Sequence, residues 1–324
     1  MRDRIVEAVE SNDLDELLRI VDASCAAREW DALVEVRARA RAALERGRQL
    51  WPASGYAEYR LALDAPAEYA ASVLVEDAGR FAPGPLSEVA ASTHAWSELA
   101  PHVSPGPVAA LTAHERAVRG EPVDAGTVSH ADVCSVPLRL ERWEPEYAVA
   151  TYRPDRVDAP APELPRGRAL VPAAPAAVVD DPVVTAAARD LVRSWTAGSE
   201  GRARVVAVAG DAGAAITTLG VPGVRGAPLD AGEAVALLAW AGASGGRHGR
   251  RRGAAAGRDL AWALLRAVLD VDHDEPLDGS DVERLRFVAW NAPDASTGWV
   301  LRLAIEDPLE GLAWAIDARD PAGG

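Results

Sequence analysis

A chain of 324 residues with 49% hydrophobic and 26% charged residues has the length for about two domains and the composition of a globular polypeptide, not a disordered one. All 34 of its basic residues are arginine, so a phosphate-loop lysine, a kinase strand lysine and a pyridoxal Schiff base are excluded together with their enzyme classes. A formal net charge of -15 disfavours nucleic acid and anionic lipid as partners through the long-range field, although a local basic patch can still hold an anion over a screening distance of roughly 8–10 Å.

The chain opens on an acidic helical pattern and not on a secretion signal with an apolar centre. Leu14, Leu17, Leu18 and Val21 share one helical face, and Asp13 with Glu16 resembles a capping box. A second helix from Trp30 buries Leu33, Val36, Ala40 and Leu44 and stops at Gly47. Shorter helices are predicted around residues 56–75, 86–100 and 106–119, each bounded by Pro or Gly, which makes residues 1–120 a helical module. Residues 121–182 read as a Pro-rich, partly extended linker, with short extended pieces at 136–140 and 147–152 and prolines through Pro172, Pro175 and Pro182. Cys25 and Cys134 provide no disulfide framework, which fits a reducing cytoplasm.

Residues 183–324 are predicted to form an α+β domain. A helix near 183–197 precedes a strand at 204–209, a glycine turn and a short helix to Leu219. Asp230 and Glu233 cap a helix striped by Ala234, Leu237, Leu238 and Ala241, and Ala261, Leu264, Leu265 and Val268 stripe the next. Strands at 286–290, 299–305 and 312–317 alternate apolar residues, and the links at 291–294 and Asp307-Pro308 suit antiparallel pairing. The fold class is therefore α+β: a mainly helical N-terminal module, then a domain with a small, mostly antiparallel sheet and helices on one face.

Residues 242–258 hold five arginines, one histidine and no acid. A glycine-rich loop that feeds a helix can bring backbone N–H groups close to an anion, and arginine adds paired donors matched to phosphate or carboxylate. The ligand-binding candidates are Gly245, Gly246, Arg247, Arg250, Arg251, Arg252 and Arg258. The alternative is that these arginines neutralise some of the protein's 49 carboxylates while the glycines make a tight helix–helix turn.

Gly242-Ala-Ser244-Gly-Gly246 matches the letters of a nucleophile elbow but follows a helical pattern, and His273 is the one later histidine. Ser244 and His248 are thus the catalytic candidates. Strand 205–209 followed by Gly210-Asp-Ala-Gly213 echoes a dinucleotide turn, or is a helix start capped by Asp211. His94, Glu98 and His102 are interrupted by Pro101 and make no metal set. Trp240, Trp262, Trp290, Trp299 and Trp314 read as core or as a stacking wall beside the arginines.

The leading expectation is a non-enzymatic cytoplasmic protein of high-GC bacterial composition. Its helical module would serve protein interaction, and the loop would hold an anionic small molecule or an acidic protein partner. The second expectation is an enzyme acting on a phosphorylated or carboxylated small molecule, with Arg247, Arg250 and Arg251 on the anion and His248 as general base. No cofactor, no metal and no membrane are expected in either case.

Overall fold

The computed structural model describes all residues except 172, 175, 198–199, 273–274, 294–297 and 322–324, so Pro172, Pro175, Asp294 and His273 lie outside the described residues. The fold is α+β, with the helices mostly N-terminal and an antiparallel sheet in the C-terminal part. The chain divides into two compact units. One comprises Met1–Ala117, Glu121–Val133 and Ala150–Ala159; the other comprises Val118–Gly120, Cys134–Val149 and Pro160–Gly324.

The first unit holds α1 (Arg2–Glu10), α2 (Leu14–Ala27), α3 (Trp30–Glu45), α4 (Trp51–Asp64), α5 (Ala67–Ala71), α6 (Leu86–Thr93), α7 (Trp96–Leu99) and α8 (Pro107–Val118). Asp13 caps α2 as its spacing implies, its carboxylate accepting the Glu16 N–H at 2.9 Å, and Leu17, Ile20 and Val21 bury the inner face. The centre of the unit is α4, buried along most of its length. Its one internal arginine, Arg60, is satisfied at 2.6 Å by both Asp64 and Asp22. Pro66 separates this helix from α5, and α4 starts at Trp51, ahead of the short helices expected around 56–75. A hairpin of β1 (Thr151–Arg153) and β2 (Arg156–Asp158) is tied to this unit by the Tyr152 hydroxyl, which donates to Glu88 at 2.6 Å.

The second unit is built on a seven-stranded sheet. Its strands are β3 (Arg168–Ala169), β4 (Ala177–Val179), β5 (Arg202–Ala209), β6 (Arg225–Leu229), β7 (Arg286–Asn291), β8 (Gly298–Asp307) and β9 (Leu312–Pro321), in the order β3-β6-β7-β8-β9-β5-β4, every pair antiparallel. The Asp307-Pro308 link turns β8 into β9 as expected: the Asp307 carboxylate accepts the Leu309 N–H at 2.8 Å, and Gly311 closes the turn.

The helices are α9 (Pro182–Leu191), α10 (Arg193–Thr196), α11 (Ala212–Thr218), α12 (Ala231–Ala243), α13 (Ala254–Leu269) and α14 (Gly279–Arg284). They do not all cover one face of the sheet. Val208, Trp290, Ala304, Ala313 and Ala315 pack against α11, whereas Trp299, on the opposite strand parity, stacks on Trp240 of α12 at 5.4 Å. Leu170, Ala173 and Ala176 join the α11 side, so this part of the Pro-rich stretch forms a strap over the sheet.

Residues 136–140 make no strand. The carbonyls of Pro137 and Arg139 are taken at 2.6 and 2.8 Å by the guanidinium of Arg258, which leaves them no ladder to join.

Candidate functional site

The arginine stretch begins where α12 ends. A reciprocal capping box of Asp230 and Glu233 starts this helix, and the chain turns extended at Ser244. The segment between α12 and α13 then folds back on itself, since the Arg252 N–H donates to the Ala243 carbonyl at 2.8 Å and closes a loop over residues 244–253. Midway, the Arg247 N–H donates to the carboxylate of Asp320, a buried residue near the end of β9, at 2.6 Å. Gly246 makes this anchor possible. It has φ +67°, and a side chain there would collide with Asp320 and with Trp195. The loop is thus an anchored element of the fold.

Its side chains part company. Arg247, His248 and Arg250 are exposed; Arg251 and Arg252 are half-buried. Arg247 reaches the Pro321 carbonyl at 3.4 Å, the long limit of a hydrogen bond. Arg252 donates to the Asp190 carbonyl at 2.9 Å. Burial pushes its pKa down, the nearby Arg193 pushes the same way, and Asp190 and Asp259 oppose them. His248 makes no hydrogen bond or ion pair with another described residue, so nothing orients it as a general base.

Arg258 is elsewhere altogether. It is 0% exposed and lies in α13, inside the unit. Its Nε and Nη2 grip Glu144 at 2.7 Å each, its other contacts are the Pro137 and Arg139 carbonyls, and its plane lies 5.4 Å from the Trp262 ring. Glu144 also accepts from the Tyr147 hydroxyl at 2.6 Å, the Trp262 indole at 2.9 Å and the Glu141 N–H at 2.8 Å. Burial raises the Glu144 pKa, but the Arg258 hydrogen bonds and charge outweigh it and hold the carboxyl below its usual range. Tyr147 is pushed well above its ordinary range, first by burial and then by the Glu144 charge. With every nitrogen of the fork bonded within the fold and the side chain fully buried, Arg258 is out of reach of a ligand, and its place among the binding candidates is corrected here.

Ser244 is corrected on similar grounds. Its hydroxyl, 1% exposed, accepts from the Trp195 indole at 2.7 Å and donates to the Ala241 carbonyl at 3.2 Å. The elbow motif needs a strand before the serine and an accessible Oγ; here a helix precedes it and the oxygen is enclosed. Gly245 is buried against the backbone of residues 249–251, so it shapes the loop.

The remaining sequence candidates resolve into structure. Asp211 caps α11, accepting the Ala214 N–H at 2.7 Å, on a strand whose neighbours are antiparallel, which is not a dinucleotide-binding unit. His94 hydrogen-bonds the Ala65 carbonyl at 2.9 Å, and among the described residues no group of three or more His, Cys, Asp or Glu is placed to hold a metal ion. Trp240, Trp262, Trp290 and Trp314 are buried packing residues. Cys25 is buried too, and burial pushes its thiol up to about 11, which favours the thiol over the thiolate.

Three residues that shape the site lie outside the stretch that sequence reasoning singled out. Glu144 sits in the Pro-rich stretch, Trp195 at the end of a short helix, and Asp320 four residues from the end of the sequence. Strand alternation through Trp314, Ile316 and Ala318 places Asp320 on the same face, and that parity was the available clue.

The model of a family of unknown function, DUF6183, matches the chain over residues 15–309. No curated protein and no solved structure matches it. Among the described residues no helix is long and apolar enough to cross a membrane. The chain belongs to DUF6183.

Proposed function

We propose that this member of DUF6183 is a non-enzymatic binding protein whose second unit holds a phosphate or carboxylate group on the arginines of the loop over residues 244–253, chiefly Arg247 and Arg250. The observation that carries this reading is the anchoring of the loop. Its backbone is fixed at Asp320 and at Ala243 while Arg247 and Arg250 are exposed. A guanidinium on a pre-organised backbone loses less conformational entropy on engaging a planar anion than one on a mobile loop. Arg251 and Arg252, half-buried behind them, add positive potential to the same loop. The arrangement favours binding over turnover because His248 lacks an orienting partner and the Ser244 hydroxyl is enclosed.

Thermal unfolding of the full chain against inorganic phosphate, nucleotides, sugar phosphates and acyl carboxylates tests the reading. A ligand at 100 times its Kd stabilises the folded state by about 2.7 kcal/mol. At least one anion should raise the Tm, and an Arg247→Ala/Arg250→Ala variant should lose the shift while keeping the Tm of the unliganded protein. A panel that shifts neither protein, or both alike, rules out the loop as an anion site.

A further inference from the structure

The first unit carries a cavity of about 740 Å³ between the end of α3, the start of α4 and the turn before α6, within the usual size of small-ligand sites. One wall is an aromatic pair. Trp51 and Phe81 lie with ring centroids 3.5 Å apart, and Phe81 is 52% exposed. Leu44, also exposed, adds to the apolar wall. Exposed Phe81 and Leu44 thus give this cavity an apolar wall open to solvent.

The floor is already neutralised. The buried Glu58 carboxylate accepts from Arg37 at 3.1 Å, from Arg41 at 2.7 Å and from the Gly79 N–H at 2.6 Å. The rim is different. Glu45, Asp77 and Arg80 all line the same cavity, all are exposed, and none of their side chains makes a hydrogen bond or ion pair with another described residue. Arg80 only lies over the Phe81 ring, at 5.8 Å. Arg41, whose Nη2 engages Glu58 and the Asp77 carbonyl, lines the cavity as well. Opposite charges that share a cavity yet stand too far apart to pair, beside an open apolar wall, match a ligand that is itself dipolar.

We propose that this cavity binds a free amino acid with an aromatic or large aliphatic side chain. Arg80, with Arg41 behind it, receives the α-carboxylate; Asp77 and Glu45 receive the α-ammonium; Trp51, Phe81 and Leu44 cover the side chain. The site lies within the first unit and does not rest on the arginine loop of the second.

Calorimetric titration of the full chain with L-phenylalanine, L-leucine, glycine, N-acetylphenylalanine and phenylalaninamide tests it. Phenylalanine or leucine should bind saturably, and glycine, which has no apolar body, at least tenfold more weakly. The acetyl compound lacks the ammonium and the amide lacks the carboxylate, and each should also lose at least tenfold, which separates a free amino acid from either end of a peptide. Arg80→Ala should weaken phenylalanine at least tenfold and leave the weak binding of phenylalaninamide unchanged. Absence of saturable binding by both phenylalanine and leucine overturns the proposal, as does binding of either capped analogue as tight as that of phenylalanine, or equal loss of phenylalanine and phenylalaninamide in Arg80→Ala.

Discussion

Arg247 and Arg258 are eleven positions apart in one uninterrupted basic stretch, and the fold treats them in opposite ways. Arg247 has its backbone fixed and its charge in solvent; Arg258 has its charge fixed and no atom in solvent. The difference lies in what each meets. In the loop, the Asp320 carboxylate is taken by the backbone N–H of Arg247 and not by its guanidinium. The helix meets Glu144, which is surrounded by donors and matches the guanidinium fork with two parallel bonds. A run of like-charged residues is therefore not one functional unit. Its members are sorted by whether a partner is waiting within the fold.

The sharpest way to break this contrast is to remove the partner. Glu144→Gln leaves the Arg258 charge buried and uncompensated, and equilibrium denaturation should report a loss of about 3–5 kcal/mol. A loss under 1 kcal/mol would contradict the assignment of that pair to the core. Because the Glu144 pKa is lowered in the folded state, its contribution is complete above about pH 5 and drains away as pH falls through the lowered value. The acid limb of stability should be shallower in Glu144→Gln than in the parent, and identical acid slopes would separate Glu144 from the acid transition.

Next in size is the contact that sets the loop ends. A methyl at Gly257 would overlap the Ala239 carbonyl and the Ala243 amide, so α12 and α13 approach backbone to backbone there. Gly257→Ala should destabilise by roughly 1–3 kcal/mol, measured by denaturant midpoint, and an unchanged midpoint would mean that the helices can separate freely.

Asp320→Ala removes the loop anchor and should cost about 1–3 kcal/mol. It should also weaken any anion held by Arg247, since the loop loses its pre-organisation; undiminished affinity would show that the anchor has no part in binding. The smallest effect on stability is expected for Arg247→Ala/Arg250→Ala, within about 0.5 kcal/mol. A larger loss would place those two arginines with Arg258, as structural residues.

Much of this was legible in advance because it is local. The Asp230–Glu233 box, the Asp211 cap and the alternation of β8 and β9 each depend on residues within a few positions of one another, and each is present. What was not legible depends on distant partners. β6 contains Gly226 and Pro228 and has little strand character of its own; it exists because β7 and β3 lie on either side of it. Glu144 is an unremarked acid among prolines, and its partner stands 114 positions away. The close approach of α12 and α13 at Gly242 and Gly257 was not foreseen, because it pairs glycines from two helices, and Gly245 is packed against the loop's own backbone.

The sheet of the second unit closes on strands of two and three residues, β3 and β4, at its two borders. Between them β8 and β9 run ten residues each and are rich in apolar side chains, the kind of segment that would template fibrils if left at a border. The Pro-rich stretch that supplies both short strands therefore acts as a pair of bumpers. Each border offers a second copy of the chain only two or three residues of strand to pair with. Lengthening either border, by replacing Pro165 or the prolines around β4 with β-branched residues, would turn a self-contained sheet into one that recruits its neighbours.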